Sequence, residues 1–213
     1  GGNDTVLGGA GNDEITVAAT DISYFPATYR WGATSLDGGL GTDTLNFGTF
    51  GTGAGAVIDM VAGRSVIQNH TGSYGVTQGA EGTFTGFENI TTGSGNETIY
   101  GDDQANILRA GAGNDSVFGG GGNDMLWGDG GTNEIFGGTG TDTARIAANL
   151  AEVTFSFTEG GIRGVQANGD VFLIFKDVET ILFNDATRTY AQIAGPLQTA
   201  FDVIDDNVRL AES

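Results

Sequence analysis

Between residues 92 and 145 one nine-residue phrase recurs six times without a gap: TGSGNETIY, GDDQANILR, AGAGNDSVF, GGGGNDMLW, GDGGTNEIF and GGTGTDTAR. Unbroken phase forces every copy towards one local conformation, and that restricts the fold more than any other feature of the chain. Glycines crowd the first four places. The sixth place holds Glu97, Asn106, Asp115, Asp124, Asn133 and Asp142, and the eighth holds Ile99, Leu108, Val117, Leu126, Ile135 and Ala144. Glycine admits positive φ and lets backbone carbonyls turn towards one point, where a Cβ would obstruct them. The last three places suffice only for a very short strand, with the eighth side chain pointing inward and the ninth outward.

A turn that gathers carbonyls around one carboxylate supplies hard oxygen ligands. A cation such as Ca²⁺ takes about six to eight of these. Ordering nine glycine-rich residues costs more backbone entropy than one buried aliphatic side chain returns, so each unit is marginal alone and folding is expected to be coupled to the ion. The competing reading of the same composition is a Gly/Asn/Asp-rich flexible linker. The constant phase and the regular apolar eighth place argue against it when the cation is present, and disorder is the expectation without it.

Composition points the same way. The 213 residues include 39 Gly, no Cys, one His, 27 acidic and 8 basic residues, for a formal charge of −19. Such a charge repels nucleic acid and anionic membrane and favours cations. No apolar stretch is long enough to span a bilayer. The chain opens inside a repeat, GGNDTVL, as an excised region would.

Along the chain, residues 1–16 hold a clipped repeat with Asp4 and a full one, GGAGNDEIT, with Asp13 and Ile15. Residues 17–37 leave the phase in an aromatic excursion containing Tyr24, Phe25, Tyr29 and Trp31. GGLGTDTLN then restores it with Asp43 and Leu45. A second excursion covers residues 47–82, where AVIDMVAG and RSVIQNH predict two strands joined by a glycine turn. Ile90, nine places before Ile99, marks the phase already regained. After Arg145 the glycines thin out and EVTFSF, GIRGVQ, DVFLIF and VETILF alternate with tight turns. These predict a β-rich cap over residues 146–194, antiparallel, closing the open end of the stack. Residues 195–213 read as a tail or short helix.

GGAGNDEIT, AGAGNDSVF, GGGGNDMLW and GGTGTDTAR resemble the GGxGxDxUx motif of the RTX (repeats-in-toxin), or hemolysin-type, calcium-binding repeat domains of bacterial proteins exported by type I secretion. The run GTDTLNF…VIDMVAG…FTGFENITTGSGNETIYGDDQANIL resembles the stretch before the repeats in serralysin-type proteases. The resemblance implies an all-β fold, a right-handed parallel β-roll (a β-solenoid) with Ca²⁺-binding turns over residues 1–145, two nonapeptides forming each coil. It also implies several Ca²⁺ ions held between turns eighteen residues apart. One edge would then carry Glu97, Asp115 and Asn133, and the other Asn106, Asp124 and Asp142. The Asp124/Asp142 pair, with both carboxylates, would be the tightest. Asn106 and Asn133 would keep an oxygen but lose a charge, and Glu97 is longer than Asp. Asp4 would face Asp43 if the first excursion preserves phase, leaving Asp13 on the opposite edge. The carbonyl ligands would come from Gly9, Gly11, Gly39, Gly41, Gly111, Gly113, Gly120, Gly122, Gly131, Gly138 and Gly140.

Other features are weaker. Asp102, Asp103 and Asp129 fall in the glycine places and read as solvated turn residues rather than extra ligands. The ninth places give an outward ladder of Tyr100, Phe118 and Phe136 on one face and Arg109, Trp127 and Arg145 on the other. These are either docking stripes or surfaces covered by the first excursion and the cap, the second face offering a cation–π stack. His70, the only histidine, has no second His or Cys for a zinc site and no nucleophile motif beside it. Catalysis within this stretch is therefore not expected. The expected role is a secreted or cell-surface module that folds on Ca²⁺ after export. The alternatives are an adhesin or surface-layer module, or the secretion tail of an upstream protease, lipase or epimerase.

Overall fold

The computed structural model describes residues 5–17, 35–47, 55–68, 81–158 and 160–197. Strands dominate them. In chain order these are β1 (Thr5–Ala10), β2 (Glu14–Thr16), β3 (Ser35–Leu40), β4 (Thr44–Asn46), β5 (Gly55–Asp59), β6 (Arg64–Gln68), β7 (Glu81–Thr85), β8 (Asn89–Thr91), β9 (Thr98–Tyr100) and β10 (Ile107–Arg109). There follow β11 (Ala112–Gly113), β12 (Ser116–Gly122), β13 (Met125–Trp127), β14 (Gly130–Gly140), β15 (Thr143–Arg145), β16 (Val153–Phe157), β17 (Gly161–Gln166), β18 (Val171–Phe175), β19 (Thr180–Leu182) and β20 (Thr187–Thr189). Residues 190–197 are helical.

The strands form two sheets, and the chain passes from one to the other at each glycine-rich turn. The first runs β1-β3-β7-β6-β5-β9-β12-β14-β18-β17-β16, and the second β2-β4-β8-β10-β13-β15-β19-β20. Within the repeat block all pairings are parallel, and partners stand eighteen residues apart. Val117 lies between Ile99 and Ile135 in the first sheet, and Leu126 between Leu108 and Ala144 in the second. All six are fully buried. The core is thus two facing files of eighth-place side chains, one from each sheet, so nine-residue periodicity maps directly onto two buried stripes.

The files continue beyond the block. Ile90 and Leu45 extend the second one, and Ile58, Phe84 and Leu36 extend the first. The expected hairpin of the second excursion is β5–β6, closed by a turn in which Gly63 takes φ 59° and the Asp59 carboxylate accepts the Ala62 N–H. Together β5, β6 and β7 place three strands in the first sheet where the second has only β8.

Two boundaries differ from expectation. The first excursion ends before Ser35, because β3 already belongs to the stack. Leu36 stands nine places before Leu45 and pairs with Val6 and Phe84. That unit was hidden because Thr34, not an acid or amide, fills its sixth place. The remainder of the excursion, with its aromatic residues, lies outside the described residues, as do His70 and residues 198–213.

The C-terminal region is also not a purely antiparallel cap. Strand β18 continues the first sheet parallel to β14, and β19 continues the second parallel to β15, so Ile174 and Ile181 add one more step to each buried file. Antiparallel pairing begins only outside that step, with β17 and β16 on one sheet and β20 on the other. The parallel step is not marked by the nine-residue phase, because Ile181 follows Ile174 by seven residues where Ala144 follows Ile135 by nine, and no glycine-rich turn precedes it.

Candidate metal centre

In most crossings between the sheets the second and fourth places of the turn take positive φ. This holds for Gly9, Gly11, Gly39, Gly41, Gly111, Gly113, Gly120, Gly122, Gly131, Gly138 and Gly140, the glycines singled out by sequence. Asp129 fills a second place at φ 57°, the one non-glycine in this conformation among the described residues. First-place glycines are needed for a different reason. A Cβ on Gly119 would stand 2.4 Å from both the Asp124 Oδ2 and the Gly137 carbonyl oxygen. Oxygen atoms of two successive turns therefore converge on space that only glycine leaves open.

The sixth-place side chains form two rows. On the edge leading into the first sheet, the Glu97 N–H donates to Asp115 Oδ1 at 2.7 Å and the Asp115 N–H to Asn133 Oδ1 at 3.0 Å. On the opposite edge the Asn106 N–H donates to Asp124 Oδ1 at 2.8 Å and the Asp124 N–H to Asp142 Oδ1 at 2.9 Å. Asp115, Asp124 and Asp142 thus each spend one oxygen on the preceding turn. The other is left over: Oδ2 of Asp13, Asp43, Asp115, Asp124 and Asp142 and both oxygens of Glu97 are buried with no hydrogen-bond partner. A buried polar atom left bare costs about 1–3 kcal/mol, more if charged, so a row of them calls for a ligand.

Towards the N-terminus, the Asp13 N–H donates to Asp43 Oδ1 at 2.7 Å, and the Asp43 N–H to Glu88 Oε2 at 2.8 Å. Asp43 accordingly faces Asp13; Asp4, the partner expected for it, lies outside the described residues. The reason is β3: it supplies the first-sheet half of the coil between Asp13 and Asp43, so both return to the same edge.

Amide variants behave differently from acids. Asn133 has its single oxygen on the Asp115 N–H, and its amide nitrogen approaches the Asp129 carbonyl at 3.4 Å. That nitrogen would be 2.8 Å from a Cβ on Gly128, close to the place that Asp124 fills with Oδ2 at Gly119. Asn106 Oδ1 accepts the Asp102 N–H at 3.0 Å, and its amide donates to the Glu88 carbonyl and to Asp102 Oδ1. Both amides thus commit to internal hydrogen bonds the oxygen expected to face a cation.

Burial without a counter-charge raises the pKa of four of these acids. Desolvation, then the neighbouring Asp115 charge, raises the Glu97 pKa to about 8. Desolvation raises Asp115 and Asp124 to about 6, against hydrogen bonds that lower them, and raises Asp142 as well. No basic side chain among the described residues forms an ion pair with them. Among the described residues the one ion pair joins Arg109 to Asp129, which also makes Asp129 a partner of the outward face rather than a solvated residue. Nor do three carboxylates gather at one point among the described residues. The arrangement is instead pairs of carboxylates with stacked turn carbonyls, a donor set of hard oxygens that suits Ca²⁺ and not zinc or a soft metal.

Several contributors were not legible from the motif. Fifth-place Asn side chains brace the turns in the opposite direction: Asn96 Oδ1 accepts the Asn114 N–H and Asn114 Oδ1 the Thr132 N–H, each at 2.9 Å. Glu88 and Glu179 occupy sixth places two residues before buried Ile90 and Ile181, and that spacing was the available signal. The outward ladder lengthens to Tyr100, Phe118, Phe136 and Phe175, with successive centroids 4.8, 4.5 and 3.8 Å apart and rings nearly parallel. On the other face Arg109 turns to Asp129, and Arg145 donates to Asn184 Oδ1 at 3.2 Å.

A family model described as the RTX calcium-binding nonapeptide repeat (4 copies) matches residues 1–18, 91–126 and 115–144. No curated protein matches the chain significantly.

Proposed function

Since residues 1–18 and 91–144 carry RTX calcium-binding repeats, we propose that the chain is a right-handed parallel β-roll that binds several Ca²⁺ ions between stacked turns. It folds on them outside the bacterial cell and has no catalysis of its own. The observation that carries this reading is the row of buried, unpartnered carboxylate oxygens on both edges. In the metal-free chain those groups either retain protons or repel one another. A divalent ion set between turns supplies the missing partner and neutralises part of the −19 formal charge. The free energy of binding is then free energy of folding.

Ligand chemistry grades the sites. Asp124 with Asp142 offers two acids and is the tightest. Glu97 with Asp115 offers two acids, one of them longer. The sites at Asn133 and Asn106 present an amide to the ion and are weaker. Secretion follows from the same physics: a module that stays unordered in low cytosolic Ca²⁺ crosses an export channel extended and orders in millimolar Ca²⁺, stabilising or presenting whatever lies upstream.

Isothermal titration calorimetry at neutral pH tests the assignment. Uptake of several Ca²⁺ per chain is expected. Mg²⁺, which keeps its waters and demands a tighter octahedron, is not expected to substitute. A chain that takes up no Ca²⁺ at millimolar concentration defeats the reading.

A further inference from the structure

The row of turns on the Asp142 edge does not stop at the last matched repeat. Ile135 pairs with Ile174 on entering the final crossing and Thr143 with Thr180 on leaving it, so the last turn is two residues shorter than the one beneath. Shortening brings Asp177 over Gly137. A Cβ on Gly137 would stand 2.2 Å from the Asp177 carbonyl oxygen and 2.6 Å from Asp142 Oδ2. One coil earlier the same positions belong to the Gly137 carbonyl and Asp124 Oδ2. Asp177 therefore presents its carbonyl where a first-place glycine would, although no repeat surrounds it.

Its side chain completes the likeness. Asp177 Oδ2 accepts the Gly138 N–H at 3.1 Å, while Asp177 Oδ1 is buried and unpartnered. Asp142 is fully buried, and its Oδ2 is unpartnered too. Glu179 takes the backbone role of the next sixth-place acid, accepting the Asp142 N–H through Oε2 at 2.7 Å. The turn thus brings a bare carboxylate oxygen of Asp142 and the Asp177 carbonyl together beside one glycine, and Asp177 itself carries a second bare oxygen.

The geometry points to a terminal Ca²⁺ site formed by Asp142 Oδ2 with the carbonyl and Oδ1 of Asp177, which clamps the β18–β19 coil onto the last repeat turn. Glu179 is a positioning residue there. This rests on the Ca²⁺-binding reading above and extends it to residues outside the repeat. The C-terminal coil then docks only when the row is loaded, so the end of the stack closes in the same metal-driven step as the repeats.

Crystals of the full chain grown in millimolar CaCl₂ and measured at long wavelength decide the matter through the anomalous map. A peak between Asp142 and Asp177, in addition to peaks between repeat turns, is expected. Peaks confined to the repeat turns overturn the terminal site and leave the repeat sites standing, whereas a map without peaks overturns both. In solution, Asp177→Asn should lose one ion per chain by calorimetry and raise the calcium midpoint of folding several-fold. Unchanged stoichiometry overturns the proposal. Should that variant fail to fold at saturating calcium, the wild-type map gives the answer.

Discussion

Asn133 and Asp124 occupy the same place in successive copies, yet one presents an amide nitrogen and the other a bare carboxylate oxygen to the first-place glycine of its own turn. Restoring the acid with Asn133→Asp is expected to strengthen calcium binding on the Asp115 edge by roughly three- to tenfold, about 1 kcal/mol. In chelator it should destabilise the chain, because it adds another uncompensated buried anion. Calorimetry and denaturation with and without Ca²⁺ check both signs. The raised pKa values give a second prediction. Glu97 at about 8 and Asp115 and Asp124 at about 6 sit above the ordinary carboxylate range, so the metal-free folded chain holds protons that the unfolded chain has released. That stabilisation is complete below the unfolded values and is lost as pH rises through the folded ones. Metal-free structure should therefore fade between about pH 5 and pH 8, while the calcium midpoint falls over the same range as ionised ligands become available. A calcium midpoint that does not move with pH would contradict the assignment. At this scale the acids were legible from phase alone, but the direction of each amide was not, since it depends on which backbone N–H lies within reach.

Elements were legible where the nine-residue phase is unbroken and illegible where one place fails. Strands β9 to β15 follow from the eighth-place residues. Leu36 obeys the same spacing but lacks the glycine-rich turn that flags it, so the first half of β3 reads as excursion; Ile181 follows Ile174 by seven residues and not nine, so β19 reads as part of an antiparallel cap. The widened first sheet could not be foreseen, because strand order within an insertion depends on pairing partners far away in the chain. The outward ladder shows how side chains off the metal rows contribute. Phe136 stacks on Phe118 and Phe175 at 4.5 and 3.8 Å, so it ties the last repeat coil to the C-terminal one. Such pairs are worth about 0.5–1.5 kcal/mol each beyond burial. Phe136→Ala should accordingly cost about 2–3 kcal/mol in chemical denaturation at saturating calcium, with the number of bound ions unchanged. A loss below about 0.5 kcal/mol would show that the ladder is incidental.

For the whole molecule the account rests on one balance. Two narrow files of buried aliphatic side chains face a chain with 39 glycines and a formal charge of −19, and the turns joining the files hold acids whose only missing partner is a cation. Glycine content raises the entropy cost of order, and like charge opposes compaction, so both penalties are relieved at the same place by the same ion. The C-terminal coil, without glycines in its turn, takes part through Asp177 and Glu179. The most direct test is far-UV circular dichroism of the chain near pH 7.5, first in chelator and then through a calcium titration. The account predicts an unordered spectrum in chelator that converts cooperatively to a β spectrum and reverts when chelator is added back. A β spectrum already present in chelator and unchanged by millimolar calcium would contradict it.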